Sequence, residues 1–263
     1  MKPTRISASS YLNTAPLVWS FLYGQNHGKV EIVLDNAPAR SAELLTLDRV
    51  DAALVPVFAY QAIDGALLVP EVCVGVRQRV RSVCLVTKGE DLKEVRSVAL
   101  DKSSRSSVAL TKIIFREFLG FEPQWRDADP DIEVMLAEAD CALLIGDPAL
   151  RLSENRFRIF DLAEVWNGFT GSGFVFAMWM TRREVSPIAF SSARDEGLAH
   201  VTEIVNNYLP EIPLSKDEIE IYLTENISYA VDETMQAGLK LYFELAHKHQ
   251  LIEHNRPLEY AAI

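Results

Sequence analysis

The chain has 263 residues, 49% of them apolar and 24% charged, which suits a globular protein of one large domain or two small ones. A net charge of −11, with no grouping of Lys and Arg, argues against a nucleic-acid partner, because neutralising phosphates takes clustered cations. No run approaches the ~18 consecutive apolar residues of a membrane helix, so no membrane partner is expected.

The start, Met1-Lys2-Pro3-Thr4-Arg5-Ile6, has no apolar segment of the kind a secretory leader needs, so a cytoplasmic protein is expected. Arg5–Ser9 reads as a short strand. Tyr11 to Pro16 then forms a polar loop opening a helix, with Thr14 as N-cap, Pro16 in the first turn and Gly24 as the stop. Val30–Leu34 alternates as a strand. Pro38 starts a helix ending near Leu47, and Ala52–Val57 is apolar enough for a buried parallel strand.

The same grammar then repeats. Ser97–Leu100 is a strand, and Asp101 to Ser107 opens a helix carrying Val108, Phe115, Phe118 and Leu119 and ended by Gly120. Phe121–Arg126 is a strand, Pro130 starts a helix, and Cys141–Ile145 is another buried strand. The segment Leu47 to Leu54 resembles Leu136 to Leu143: each is a helix end, an Asp and an apolar strand. Two similarly built lobes follow from this. The chain crosses between them within the apolar stretch Ala66–Lys88 and again around Phe174–Thr181. The expected division is residues 1–85 plus 178–263 for the first lobe and 86–177 for the second, with a ligand cleft between. The last third is expected to be helical over Ala189–Leu209, Lys216–Glu225 and Asn226–His249. Strands alternating with helices predict an α/β fold with mixed, mainly parallel sheets.

Ligands of such folds sit beyond the carboxyl ends of strands, at helix starts. This selects the loops Ser9–Thr14, Pro56–Tyr60, Ser103–Ser107 and Gly146–Pro148. Ser103–Ser107 combines helix-start N–H groups, hydroxyls and the charge of Arg105, which suits a carboxylate or phosphate better than capping alone requires. Asn13 offers both a donor and an acceptor, although a turn and a cap would also explain its loop. Asp147 reads either as a base or orienting carboxylate or as part of an Asp–Pro turn. Ser82 is either a cleft-facing strand-end hydroxyl or an exposed one. Trp125, Trp166, Trp179 and Phe174 to Phe176 read as core.

Cys73, Cys84 and Cys141 stand singly in apolar runs and read as buried thiols rather than a disulfide frame or zinc site. None of the five histidines falls in a candidate loop, so neither a metal cluster nor a Ser-His-Asp triad is expected. With no P-loop or GxGxxG fingerprint, no nucleotide cofactor is expected either.

Several of these segments together resemble a known family. They are Ser10-Tyr11-Leu12-Asn13-Thr14-Ala15-Pro16-Leu17, Asp51-Ala52-Ala53-Leu54-Val55-Pro56, Arg81-Ser82-Val83, Ser104 to Leu110, Leu144-Ile145-Gly146-Asp147-Pro148-Ala149-Leu150 and Asp161 to Trp166. In order through most of the chain, about residues 5–251, they resemble the chorismate dehydratases of the futalosine route to menaquinone. The resemblance implies a periplasmic-binding-protein-like, type II fold. It implies loss of water from chorismate to give 3-[(1-carboxyvinyl)oxy]benzoate, with no cofactor. It places the family's active-site Asn and Ser on Asn13 and Ser82.

Asp147 joins them as a candidate base, with a substrate carboxylate as the alternative. Substrate contacts are expected from Ser10, Tyr11, Thr14, Pro56, Ser104, Arg105, Ser106, Ser107 and Gly171. The family commonly reads Thr-Gly-Leu-Pro-Phe-Val where this chain has Thr170-Gly171-Ser172-Gly173-Phe174-Val175, so a more flexible cleft wall is expected. The related 1,4-dihydroxy-6-naphthoate synthase uses a histidine in its second lobe. This chain has none between His27 and His200, which favours the dehydratase. A solute-binding protein of the same fold is the non-catalytic alternative. Either a monomer or a homodimer is compatible with the sequence.

Overall fold

A computed structural model describes residues 3–35, 38–89, 91–153 and 155–263. Met1 and Lys2, read above as part of the N-terminal lead-in, lie outside the described residues.

The first sheet grows from β1 (Thr4–Ser9), whose Ile6, Ser7, Ala8 and Ser9 are all buried. β1 is followed by a 3-10 turn over Leu12–Thr14 and then by α1 (Ala15–Leu22). β2 (Val30–Asp35) and β3 (Ala52–Pro56) flank β1 in parallel register, with Ile6 opposite both Ile32 and Ala52. α2 (Pro38–Thr46) covers them and buries Ser41, Ala42 and Leu45. β4 (Leu67–Val76) completes the early part of this sheet.

The second sheet holds β5 (Val83–Thr87), β6 (Ser97–Asp101), β7 (Gln124–Ala128), β8 (Cys141–Ile145) and β9 (Arg158–Asp161), in the order β7-β6-β8-β5-β9. Among its helices are α3 (Arg105–Ile113), α4 (Ile132–Glu138), the short α5 (Asp147–Leu150) and α6 (Leu162–Thr170). α3 runs on into a π turn, Ile114–Leu119, ended by Gly120 in the left-handed region at φ 80°. β10 (Phe174–Thr181) then returns to the first sheet, giving the order β2-β1-β3-β10-β4.

Both sheets are mixed. β10 runs antiparallel to β3 and β4, and β5 antiparallel to β8 and β9. β1 with β2 and β3, and β6 with β7 and β8, are parallel. The parallel share is therefore half rather than most, because each sheet takes in one strand entering from the other side. β5 belongs wholly to the second sheet and β10 wholly to the first. The chain accordingly passes between the sheets in residues 77–82 and 171–173. A strand split between two sheets would forfeit its ladder on one side.

Asp161 ties the first changeover to the second sheet. Its carboxylate accepts the N–H groups of Val80 (3.0 Å) and Arg81 (2.5 Å) and caps α6 through Ala163 (3.0 Å) and Glu164 (3.1 Å). Arg81 sits at φ 66°, a strained setting for a side-chain-bearing residue.

The C-terminal third is helical, with α7 (Phe190–Ala199), α8 (Val201–Tyr208), α9 (Lys216–Ile221) and α10 (Glu233–Lys248). α9 opens on a full capping box between Ser215 and Glu218 and widens into a π turn over Tyr222–Asn226. The expectation of one helix over Asn226–His249 is corrected here. Ser228 pairs with Gly75 of β4 through hydrogen bonds of 2.7 and 2.9 Å, and Asp232 caps a new helix through the N–H of Met235 at 2.9 Å. Backbone groups committed to a strand edge cannot also close helical turns.

Two clusters of buried apolar side chains form the interior. The larger spans both sheets and the C-terminal helices, and the smaller lies on the far face of the second sheet around Met135, Leu136 and Leu144. All three cysteines are buried and unbridged, and Trp166 and Trp179 are fully buried.

Candidate active site

The loop after β1 is held from both sides. The N–H of Leu12 donates to Asp147 Oδ1 at 3.1 Å, and Tyr208 Oη donates to the carbonyl of Ser10 at 3.2 Å. Thr14 does not cap α1. Its N–H closes the 3-10 turn on the carbonyl of Tyr11 at 3.0 Å, and its hydroxyl donates back to the carbonyls of Ser9 (2.7 Å) and Tyr11 (2.8 Å). The ring of Tyr11 packs over Gly146, where a Cβ would stand 3.1 Å from three ring carbons. Gly146 also sits at φ 66°, so this contact and this backbone both require glycine.

The start of α3 faces the same space. Ser104 caps the helix by accepting the N–H of Ser107 at 3.3 Å. Ser106 Oγ accepts the N–H of Phe58 at 3.1 Å, linking α3 to the turn after β3, and Tyr242 Oη donates to the carbonyl of Ser106 at 3.0 Å. The N–H groups of Arg105 and Ser106, in the first helical turn, have no acceptor within the helix. Ser103 Oγ donates to the buried Asp101 at 2.6 Å and bonds the side chain of Tyr11. Burial raises the pKa of Asp101 and likewise that of the Tyr11 hydroxyl.

These groups surround a cavity with about 560 Å³ of empty space, part of it open to solvent. Seven of the residues expected to meet a ligand line it: Tyr11, Asn13, Thr14, Pro56, Ser104, Ser106 and Ser107. The sequence reading missed its apolar walls, among them Val74, Val83, Ile145 and Phe176, because an inward-facing strand end has the same composition as core. None of the described residues lining it is Lys, Arg or His. Among the described residues no group of three or more His, Cys, Asp or Glu could hold a metal ion.

Five of the expected residues do not line the cavity. Arg105 is exposed, so α3 supplies hydroxyls and N–H groups there without that charge. Gly171 is exposed as the left-handed cap of α6, its N–H bonded to the carbonyl of Asn167 at 2.7 Å. Ser10 has its N–H on the carbonyl of Asp35 at 3.0 Å. Asp147 turns to Leu12, and burial raises its pKa. Ser82 is completely buried. Its Oγ accepts from Tyr222 Oη at 2.7 Å and its carbonyl from the N–H of Gly146 at 2.7 Å, so it is not an exposed strand end.

Nor is the glycine-rich wall loose. A Cβ on Gly173 would stand 2.7 Å from both Met235 and the carbonyl of Val76, and that glycine's own carbonyl takes the indole N–H of Trp166 at 3.2 Å. Asn13 lines the cavity, and its buried Oδ1 has no hydrogen-bond partner.

A family model described as menaquinone biosynthesis matches residues 4–248. The chain belongs to this menaquinone biosynthesis family. A chorismate dehydratase from Thermus thermophilus is 32% identical to it over 267 residues, covering 93% of this chain and 95% of that one. Solved structures show the fold. Protein AF1704 from Archaeoglobus fulgidus superposes with a TM-score of 0.71 at 15% identity, covering 94% of this chain and 98% of its own. The periplasmic aliphatic sulphonate binding protein SsuA from Escherichia coli does so at 0.68 and 16% identity, covering 100% and 94%. This member of the menaquinone biosynthesis family therefore has the periplasmic-binding-protein-like α/β fold expected from its sequence. Among its described residues no helix is long and apolar enough to cross a membrane.

Proposed function

We propose that the chain is a chorismate dehydratase, a hydro-lyase that converts chorismate into 3-[(1-carboxyvinyl)oxy]benzoate and water. One observation carries this reading: Asn13, with its unpaired Oδ1, and the serine-rich start of α3 face one cavity bounded by both sheets. The 32% identity to a chorismate dehydratase supports it. On this reading the two sheets are the cores of two lobes and the cavity is the cleft between them, in a cytoplasmic enzyme.

Chorismate carries two carboxylates and a ring hydroxyl. Loss of that hydroxyl and a ring proton leaves an aromatic ring, which makes the step downhill. The protein then has chiefly to hold the carboxylates and orient the breaking C–H and C–O bonds. The N–H group of Ser106, with the hydroxyls of Ser104 and Ser107, suits one carboxylate. Asn13 orients the departing hydroxyl. The proton goes to a carboxylate of the substrate itself, since no cationic or imidazole side chain lines the cavity and Asp147 stands outside the lining with an oxygen committed to Leu12.

The test is to incubate purified protein with chorismate and follow formation of the aromatic product by liquid chromatography and mass spectrometry. Conversion with loss of one water is expected. Tight chorismate binding without product would overturn the enzyme reading in favour of a carboxylate-binding protein.

A further inference from the structure

We propose that Tyr222 is a positioning residue of this site, its buried hydroxyl fixing Ser82, whose carbonyl in turn holds the N–H of Gly146 at the cavity wall. Tyr222 stands 140 residues from Ser82 and carries no sequence signal of a role. The capping box that starts α9 and the π turn that ends it bring this ring inward, to 1% exposure. π turns of this kind recur at functional sites, where they re-aim a side chain.

The bonding at the hydroxyl has a direction. Tyr222 donates to Ser82 Oγ at 2.7 Å. The side chains of Asn13, Asp147 and Cys84 also lie close enough to act on this phenol, and the Oδ1 of Asn13 is buried there without a hydrogen-bond partner. Ser82 is anchored in turn through its carbonyl to the N–H of Gly146, on the loop beneath Tyr11. Burial keeps the phenol protonated across the working pH range, so the donor is permanent.

The inference rests on the dehydratase reading, and the experiment separates the two. Wild type, Tyr222→Phe, Ser82→Ala and the double variant are compared for turnover of chorismate, with thermal melting as a fold control. Tyr222→Phe keeps the ring and removes the hydroxyl. A fall in kcat of about tenfold to a hundredfold is expected, the scale of a misaimed reacting group, with KM changed by less than about threefold. The double variant should be no slower than the worse single one, because Tyr222 acts through the same network as Ser82. Wild-type kcat in Tyr222→Phe, or fully additive losses in the double variant, overturns the proposal. Should Tyr222→Phe melt below the assay temperature, Ser82→Ala decides: it removes the phenol's acceptor, and an unchanged kcat there also overturns the proposal. An inert wild-type protein overturns the dehydratase reading and this role with it, whereas an active wild type with an unaffected Tyr222→Phe overturns this role alone.

Discussion

The backbone N–H of Leu12, in the loop after β1, donates to the carboxylate of Asp147, at the start of α5 beyond β8, across 3.1 Å. Two residues 135 apart in sequence, each just past a strand of a different sheet, are joined there, one residue before Asn13. Asp147 therefore holds the backbone next to Asn13. Asp147→Asn keeps an acceptor at that point, and Asp147→Ala does not. Turnover within about fivefold of wild type is expected for the first and a loss of about tenfold or more, with raised KM, for the second. Steady-state kinetics on chorismate check this. Equal losses of a hundredfold or more in both variants would instead make Asp147 the base.

The same carboxylate gives a pH dependence of stability. Burial raises its folded-state pKa above the ordinary carboxylate value of 3.8. The charged form is thus the disfavoured one in the fold. Its penalty is absent below the unfolded pKa and grows as pH rises through the folded one. Asp147→Asn should accordingly melt higher than wild type at pH 7, and the difference should shrink on acidification and vanish below the ordinary value of 3.8. Melting curves from pH 3 to pH 8 read this directly, and a difference that widens toward acid would contradict it.

Gly146→Ala should destabilise the protein by about 1–2 kcal/mol from its left-handed backbone alone. It should also displace the Tyr11 ring that packs upon it. Urea unfolding gives the first effect, and raised KM for chorismate gives the second.

Asn13→Ala removes the unpaired amide oxygen at the cavity. A loss of more than about tenfold in kcat is expected, on the scale of removing one preorganised polar group. Unchanged turnover would take Asn13 out of the mechanism.

Asp161→Ala removes the acceptor of four N–H groups, two at the changeover between sheets and two at the start of α6. A cost of about 3 kcal/mol is expected, since hydrogen bonds to a buried charge are worth more than neutral ones and Arg81 loses a tether of its strained backbone. Guanidinium unfolding checks the magnitude.

Much of the fold was legible because it rests on local rules. Short apolar runs between turn signals, such as Ala52–Pro56 and Cys141–Ile145, read as buried strands and are, and Gly120 stops a helix as its backbone freedom requires. Where reading failed, a distant partner had claimed the group. Thr14 turned from capping to closing a 3-10 turn, and Ser228 left its expected helix to pair with Gly75. Arg105 shows the same limit within the site, since a helix start fixes where its N–H groups point but not which way a long side chain leaves the surface.

The sequence by itself determined the two repeated α/β units, the loops at their strand ends and, through the segments around Asn13 and Gly146, the family. Those properties follow from periodicity, turn chemistry and short contiguous motifs, all of which act over a few residues. Only the tertiary structure decided that Asp147 grips Leu12, that Ser82 lies buried against Tyr222, and that Val74, Ile145 and Phe176 wall the cavity. Each of these is a pairing between residues remote in the chain, and the packing of two sheets and a returning C-terminal helix selects it from many partners that local chemistry would accept equally well.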